Sequence, residues 1–191
     1  EAENFSVGAN IGLLLFAANM AAWSQIEATV KQGQQALHAM KYAPVPVVGA
    51  PSGMALGGGC EILLHCDSVQ AHAETYMGLV EVGVGLVPGW GGCKELLLRW
   101  MHEKRRPGGP MPAVSQVFEY ISTARVARSA HEATQMKLLS ERDGITMNRD
   151  RLLADAKAKA LDLLPNSAPP AAPAPVHLPG TTGEVALGLA V

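Results

Sequence analysis

The run Val45-Pro-Val-Val-Gly-Ala-Pro51, followed by Gly57-Gly58-Gly59 and then Cys60-Glu-Ile-Leu-Leu64, constrains the fold more than any other part of the chain. A short apolar run bounded by Pro and Gly is the pattern of a buried strand. Consecutive glycines break it, and the apolar residues Ile62, Leu63 and Leu64 offer one face of a following helix. Strand, glycine turn and helix in immediate succession belong to an α/β protein, and they leave main-chain N–H groups uncovered at the helix start.

Those N–H groups are one half of a chemical pattern. A carbonyl oxygen can approach a backbone that carries no side chains, and the positive end of a helix adds to the same spot. The other half is a pair of carboxylates, Glu61 in the apolar Cys60–Leu64 run and Glu81 in Gly78-Leu-Val-Glu-Val-Gly-Val. Taken alone, a glycine cluster marks a tight turn, and an isolated glutamate is a solvated surface group. Here both glutamates sit in runs that would desolvate them, and a desolvated carboxylate needs a partner or a proton. Twenty residues separate them, enough for a helix, a reversal and a strand that bring the second beside the first.

Composition limits the partners. With 48% apolar and 17% charged residues the 191-residue chain can bury a core, and a net charge of −2 gives no reason to expect nucleic acid. Cys60, Cys66 and Cys93 lack metal spacing, and without a visible signal peptide they are expected as thiols in a reducing cytoplasm. The apolar run Ile11–Trp23 contains Asn19 and is shorter than the roughly 20 residues that span a bilayer, so no transmembrane segment is expected. Gly89-Trp-Gly-Gly-Cys-Lys94 has neither the end of a phosphate loop nor the third glycine of a dinucleotide fingerprint, and His65-Cys66-Asp67 has no metal-ligand pattern. No metal is expected. The basic run Lys104-Arg105-Arg106 reads as a solvated loop, with contact to a ligand phosphate as the alternative.

Along the chain, helical spacing runs from Asn10 to Lys41 and predicts one long helix closed by Pro44. Ser68–Ala73 alternates like a strand, and Gly89–Arg99 reads as a glycine turn opening a helix. Further helices are predicted over about 113–122, 129–139 and 148–164, with Ser129 and Asn148 as N-caps. The expected organisation is a partial α/β core over 1–104, a helical region over 105–164, a Pro/Ala-rich linker over 165–180, and the opening of a further segment over 181–191. Without a starting Met, the chain is expected to begin in mid-domain and to expose apolar surface along Ile11–Trp23.

As a set, Phe5-Ser-Val-Gly8-Ala9-Asn10-Ile11, Ala55-Leu-Gly-Gly58-Gly-Cys-Glu61, Glu81 and Leu86-Val-Pro88-Gly89-Trp90-Gly91-Gly92 resemble the enoyl-CoA hydratase/isomerase, or crotonase, superfamily. Closer still, the sequence is similar to the hydratase portion of bacterial 3-hydroxyacyl-CoA dehydrogenase/enoyl-CoA hydratase fusion proteins. The resemblance implies a β-β-α superhelix, here partial, with a helical C-terminal region. By motif position it implies an oxyanion hole made by the N–H groups of Ala9 and Gly58, catalytic Glu61 and Glu81, and an acyl pocket near Pro88, Gly89 and Trp90. Trp90 stands where a small residue is common in the family, and Glu3 where many relatives carry a basic residue that holds CoA.

The implied reaction is hydration of a trans-2-enoyl-CoA, with Glu61 taking a proton from water and Glu81 supplying one to C2. The CoA thioester is then the substrate and no cofactor is needed in this segment, since NAD would belong to a dehydrogenase region outside it. A trimer or hexamer is the expected assembly, and the rest of a multifunctional polypeptide the expected partner. Two rivals remain: isomerisation of enoyl-CoA with Glu81 alone moving the proton, and a non-catalytic scaffold or oligomerisation segment.

Overall fold

Parallel pairing of five short strands orders the middle of the chain. The computed structural model describes residues 2–103, 107–171 and 173–189, so Lys104-Arg105-Arg106 lies outside the described residues. The strands are β1 (Val48–Gly49), β2 (Met54–Leu56), β3 (Ser68–His72), β4 (Tyr76–Gly78) and β5 (Gly144–Thr146). One sheet has the order β1-β3-β5 and the other pairs β2 with β4, with every pairing between strands parallel. Pro46 and Pro51 confine the first apolar run, and only Val48 and Gly49 enter the ladder.

Two single-residue bridges widen the second sheet. Ser6 lies parallel to Ala55, with Leu56 N–H donating to Ser6 O at 2.9 Å, and Ala127 lies antiparallel to Met77. The Ser6 bridge carries Gly8 and Ala9 alongside the exit of β2. Between the strands lie α3 (Gly58–Leu64) after β2 and α4 (Gly92–Met101) after the Val80–Gly91 segment. They share a core of Leu63, Val69, Met77, Leu96, Leu138 and Leu139, all at most 1% exposed.

The single long helix expected from Asn10 to Lys41 is two helices, α1 (Ile11–Asn19) and α2 (Trp23–Lys41). After the cap residue Met20, Ala21 turns left-handed at φ 53°, its N–H donates to Ala18 O, and Ala22 N–H reaches back to Ala17 O at 2.8 Å. This is a Schellman ending, which normally places Gly in the left-handed position. Here Ala occupies it, so nothing in the composition marks the stop. The same pattern closes α5 (Met111–Ser122) at Ala124 and α6 (Ala130–Gln135) at Lys137, which ends the predicted 129–139 helix early.

Ser129 caps α6 through its hydroxyl, accepting from Glu132 N–H at 3.1 Å. Asn148 caps a 3-10 turn at Arg149–Arg151 that leads into α7 (Leu152–Leu163). Residues 167–171 and 173–179 form no regular element, and α8 spans Gly180–Gly188. No helix among the described residues is long and apolar enough to cross a membrane. No residue of α1 is buried, and Leu13 and Phe16 are each 67% exposed.

Candidate active site

The exit of β2 meets the start of α3 at Gly57, whose φ of 54° turns the chain while its N–H donates to Gly78 O of β4 at 2.9 Å. The two glycines that follow are needed for space. A Cβ on Gly59 would stand 2.3 Å from Ser6 O, and one on Gly58 would stand 2.8 Å from Trp90 Cζ3. Gly8 approaches from the Ser6 bridge, close enough that a Cβ there would be 3.1 Å from Gly58 N. The first N–H groups of a helix have no partner within it. Gly58 and Ala9 both line one cavity of about 450 Å³, and Glu61, Glu81, Gly89 and Trp90 line it with them.

Glu61, one turn into α3, is 2% exposed. Its Oε1 accepts two main-chain bonds, from Trp90 N–H and from Gly92 N–H, each 2.8 Å. Burial raises its proton affinity, and the Gly92 and Trp90 N–H groups pull the other way by stabilising the carboxylate. The loop that supplies them is held from below. His65, the C-cap of α3, places Nδ1 2.8 Å from Glu61 O, and its ring fills the space beside Gly91, the left-handed N-cap of α4.

Glu81 opens a 3-10 turn, Glu81–Val84, two residues after the buried Leu79 that follows β4. Its Oε2 is buried and has no hydrogen-bond partner among the described residues. Burial is the main reason its proton affinity rises; its own N–H and that of Val80 oppose the rise, and the charge of Glu61 adds to it. The two carboxyl groups line one cavity, and burial leaves both with a raised proton affinity. They differ in their partners: Glu61 Oε1 accepts from two main-chain donors, whereas the buried Oε2 of Glu81 has none among the described residues.

Of the residues expected in the acyl pocket, Gly89 and Trp90 line the cavity and Pro88 does not. Pro88 is buried within the loop, its carbonyl turned toward Cys93 Sγ at 3.9 Å. A second cluster escaped the sequence reading. Glu95, 4% exposed, has Oε2 2.6 Å from Lys41 Nζ, and Oε1 3.0 Å from Lys94 Nζ and 3.6 Å from His65 Nε2. It ties the C-terminal end of α2 to α4 and to the residue under the Glu61 loop. The apolar wall opposite the carboxylates comes from α1 and α2, including Leu14, Ala18, Ile26 and Val30. Their helical spacing showed one apolar face, yet nothing in it named the face's neighbour.

The sequence pattern of the enoyl-CoA hydratase/isomerase family matches residues 2–104. The chain belongs to that family. Over 187 residues it is 42% identical to a Bacillus subtilis (strain 168) protein named "Probable 3-hydroxyacyl-CoA dehydrogenase", covering 98% of this chain and 23% of that protein. Over 96 residues it is 42% identical to "Fatty acid oxidation complex subunit alpha" of Idiomarina loihiensis, covering 49% of this chain and 13% of the relative. The chain thus spans about a quarter or less of the curated relatives it matches.

Among solved structures, an enoyl-CoA hydratase from Bacillus anthracis is 27% identical with a TM-score of 0.58, over 73% of this chain and 48% of that one. An enoyl-CoA hydratase from Polaromonas sp. JS666, at 22% identity and a TM-score of 0.67 over 85% of this chain and 56% of that one, shares the fold. The crotonase fold accounts for the two parallel sheets and for the helix-start glycines beside them. The similarity to the Bacillus subtilis protein continues beyond the family match, through the α5–α8 region.

Proposed function

We propose that this chain carries an enoyl-CoA hydratase site, adding water across the C2–C3 bond of a trans-2-enoyl-CoA to give a 3-hydroxyacyl-CoA. The observation that carries the reading is the pairing of buried Glu61 with half-buried Glu81 in one cavity that Ala9 and Gly58 also line, with two main-chain donors on Glu61 and, among the described residues, none on Glu81 Oε2. The thioester oxygen would lie at the Ala9 and Gly58 N–H groups and gain negative charge as the water oxygen bonds to C3. One such donor is worth on the order of 3 kcal/mol of barrier.

The Glu61 carboxylate takes the proton of the attacking water, and protonated Glu81 delivers its proton to C2. The product thus gains one hydroxyl and one hydrogen, and the proton left on Glu61 returns to Glu81 before the next turnover. Both carboxyls titrate as one coupled unit. On this reading residues 1–104 form the catalytic part, 105–164 a helical region packed on it, and 165–180 a linker toward 181–191. The names of the relatives support placing the segment within a longer multifunctional polypeptide of fatty-acid oxidation, whose dehydrogenase region would bind NAD.

Assay of the purified chain with crotonyl-CoA and with a 3-enoyl-CoA tests the reading. Hydration of the first is expected. Turnover of the 3-enoyl ester alone would replace the hydratase by an isomerase, and acyl-CoA binding without turnover of either would favour a scaffold.

A further inference from the structure

Trp90 occupies a position that shapes what the cavity can hold. Along α2, the residues facing the cavity are Trp23, Ile26, Thr29 and Val30. A helix stripe that contains 23, 26 and 30 continues at 33, the same face about 4.5 Å further along the axis. Residue 33 is glycine, and it is not among the cavity's lining residues. The Trp90 indole stands in its place: a Cβ on Gly33 would fall 2.2 Å from Nε1 and 2.3 Å from Cε2.

The other edge of the same ring lies over the helix start. A Cβ on Gly58 would be 2.8 Å from Cζ3 and 3.1 Å from Cε3. The indole therefore bridges the α2 backbone at Gly33 and the α3 start at Gly58; the cavity's lining along α2 ends at Val30, and Trp90 lines it too. Gln34 fixes the loop that carries the ring, donating from Nε2 to Gly89 O at 2.8 Å. Gly inside a helix costs about 1 kcal/mol relative to Ala. A helix-interior glycine whose absent side chain is replaced by an indole from 57 residues away is a seat for that indole.

We infer that Trp90, seated on Gly33, is the chain-length stop of this site, confining it to short acyl thioesters. The inference rests on the acyl-CoA reading given above. The acyl tail of a thioester held at Ala9 and Gly58 would run along the α1–α2 wall and meet the ring. Removing the indole joins the cavity to the space over Gly33, and longer tails then fit.

Calorimetric titration of the purified chain with the saturated butanoyl-, octanoyl- and dodecanoyl-CoA esters reads this without relying on turnover. The wild-type chain should prefer butanoyl-CoA. Trp90→Ala should move the octanoyl-to-butanoyl affinity ratio at least about tenfold toward octanoyl, and Trp90→Phe, which keeps an aromatic ring and protects folding, should move it less in the same direction. Gly33→Ala should push the indole into the cavity and weaken butanoyl binding, and adding Trp90→Ala to it should restore binding. An unchanged ratio in both Trp90 variants, with butanoyl-CoA still bound, overturns the inference and leaves the hydratase reading intact. A shifted ratio with no crotonyl-CoA turnover keeps the inference and sinks hydration, and failure of every form to bind any ester sinks both.

Discussion

The His65 imidazole and Gly91 occupy the same small space beneath the Glu61 loop: a Cβ on Gly91 would stand 3.0 Å from His65 Cε1 and 3.1 Å from Nε2. Gly91 also holds φ at 111°, a conformation L side chains rarely adopt. Gly91→Ala therefore combines backbone strain with a clash, and should destabilise the chain by about 1–3 kcal/mol. Because Trp90 and Gly92 on either side donate to Glu61, hydration should fall by more than the loss of folded protein explains. Denaturant unfolding alongside turnover per folded molecule checks both parts; full specific activity would show that the loop does not hold Glu61.

The carboxylate pair makes a separate demand. Glu61→Gln and Glu81→Gln should each lower kcat for crotonyl-CoA hydration by about 100-fold or more, the usual scale of acid–base contributions. Both side chains keep their volume in these variants, so folding should persist. Near-normal turnover in either one removes that residue from the mechanism.

Glu81 should also govern how stability depends on pH. Burial raises its folded proton affinity above that of an ordinary carboxylate, so the folded state binds its proton more tightly than the unfolded chain does. That stability is fully present below the unfolded value and is lost as pH rises through the raised folded one. Gln imitates the protonated acid and cannot lose a proton. Glu81→Gln should therefore have a higher Tm than wild type at pH 8, with the difference shrinking toward pH 4; a Tm difference independent of pH refutes the assignment. Glu95 works in the opposite sense. Burial raises its proton affinity, but Lys41 and Lys94 outweigh that and hold it below the usual range, so its contribution is lost only as pH falls through the lowered value.

The helix endings yield a prediction without catalysis. Ala21 sits left-handed at φ 53°, which costs an L residue roughly 1–2 kcal/mol. Ala21→Gly should recover about 1 kcal/mol of stability by removing the Cβ conflict, measured as a higher denaturation midpoint at unchanged m-value. A lower midpoint would mean that the Ala21 methyl makes a packing contact worth more than the strain.

The same residues show how far the sequence could be read. Pro46, Pro51 and Gly57–Gly59 punctuate the chain strongly, and β1 and the glycine turn into α3 were legible from them, but β2, the strand that enters that turn from the other sheet, was not. The stops at Ala21, Ala124 and Lys137 were not, because a Schellman ending depends on a φ angle that these residues do not advertise. Pro88 was expected in the pocket by motif position, but it is buried and does not line the cavity that Gly89 and Trp90 line. The Lys41–Glu95 pair joins residues 54 apart, and neither residue's neighbours signal the other. Hydrophobic periodicity identifies faces; only the closed fold says which face meets which.

Position 90 serves Glu61 with its main chain and the cavity with its side chain. Every amino acid except proline brings the same N–H. In genetic terms, nineteen of the twenty residues retain the donor to Glu61, while the side chain that walls the cavity can be rewritten by a single codon. On the inference that the indole stops the acyl tail, the size of molecule this site accepts is set by one codon whose change leaves the donor to Glu61 in place.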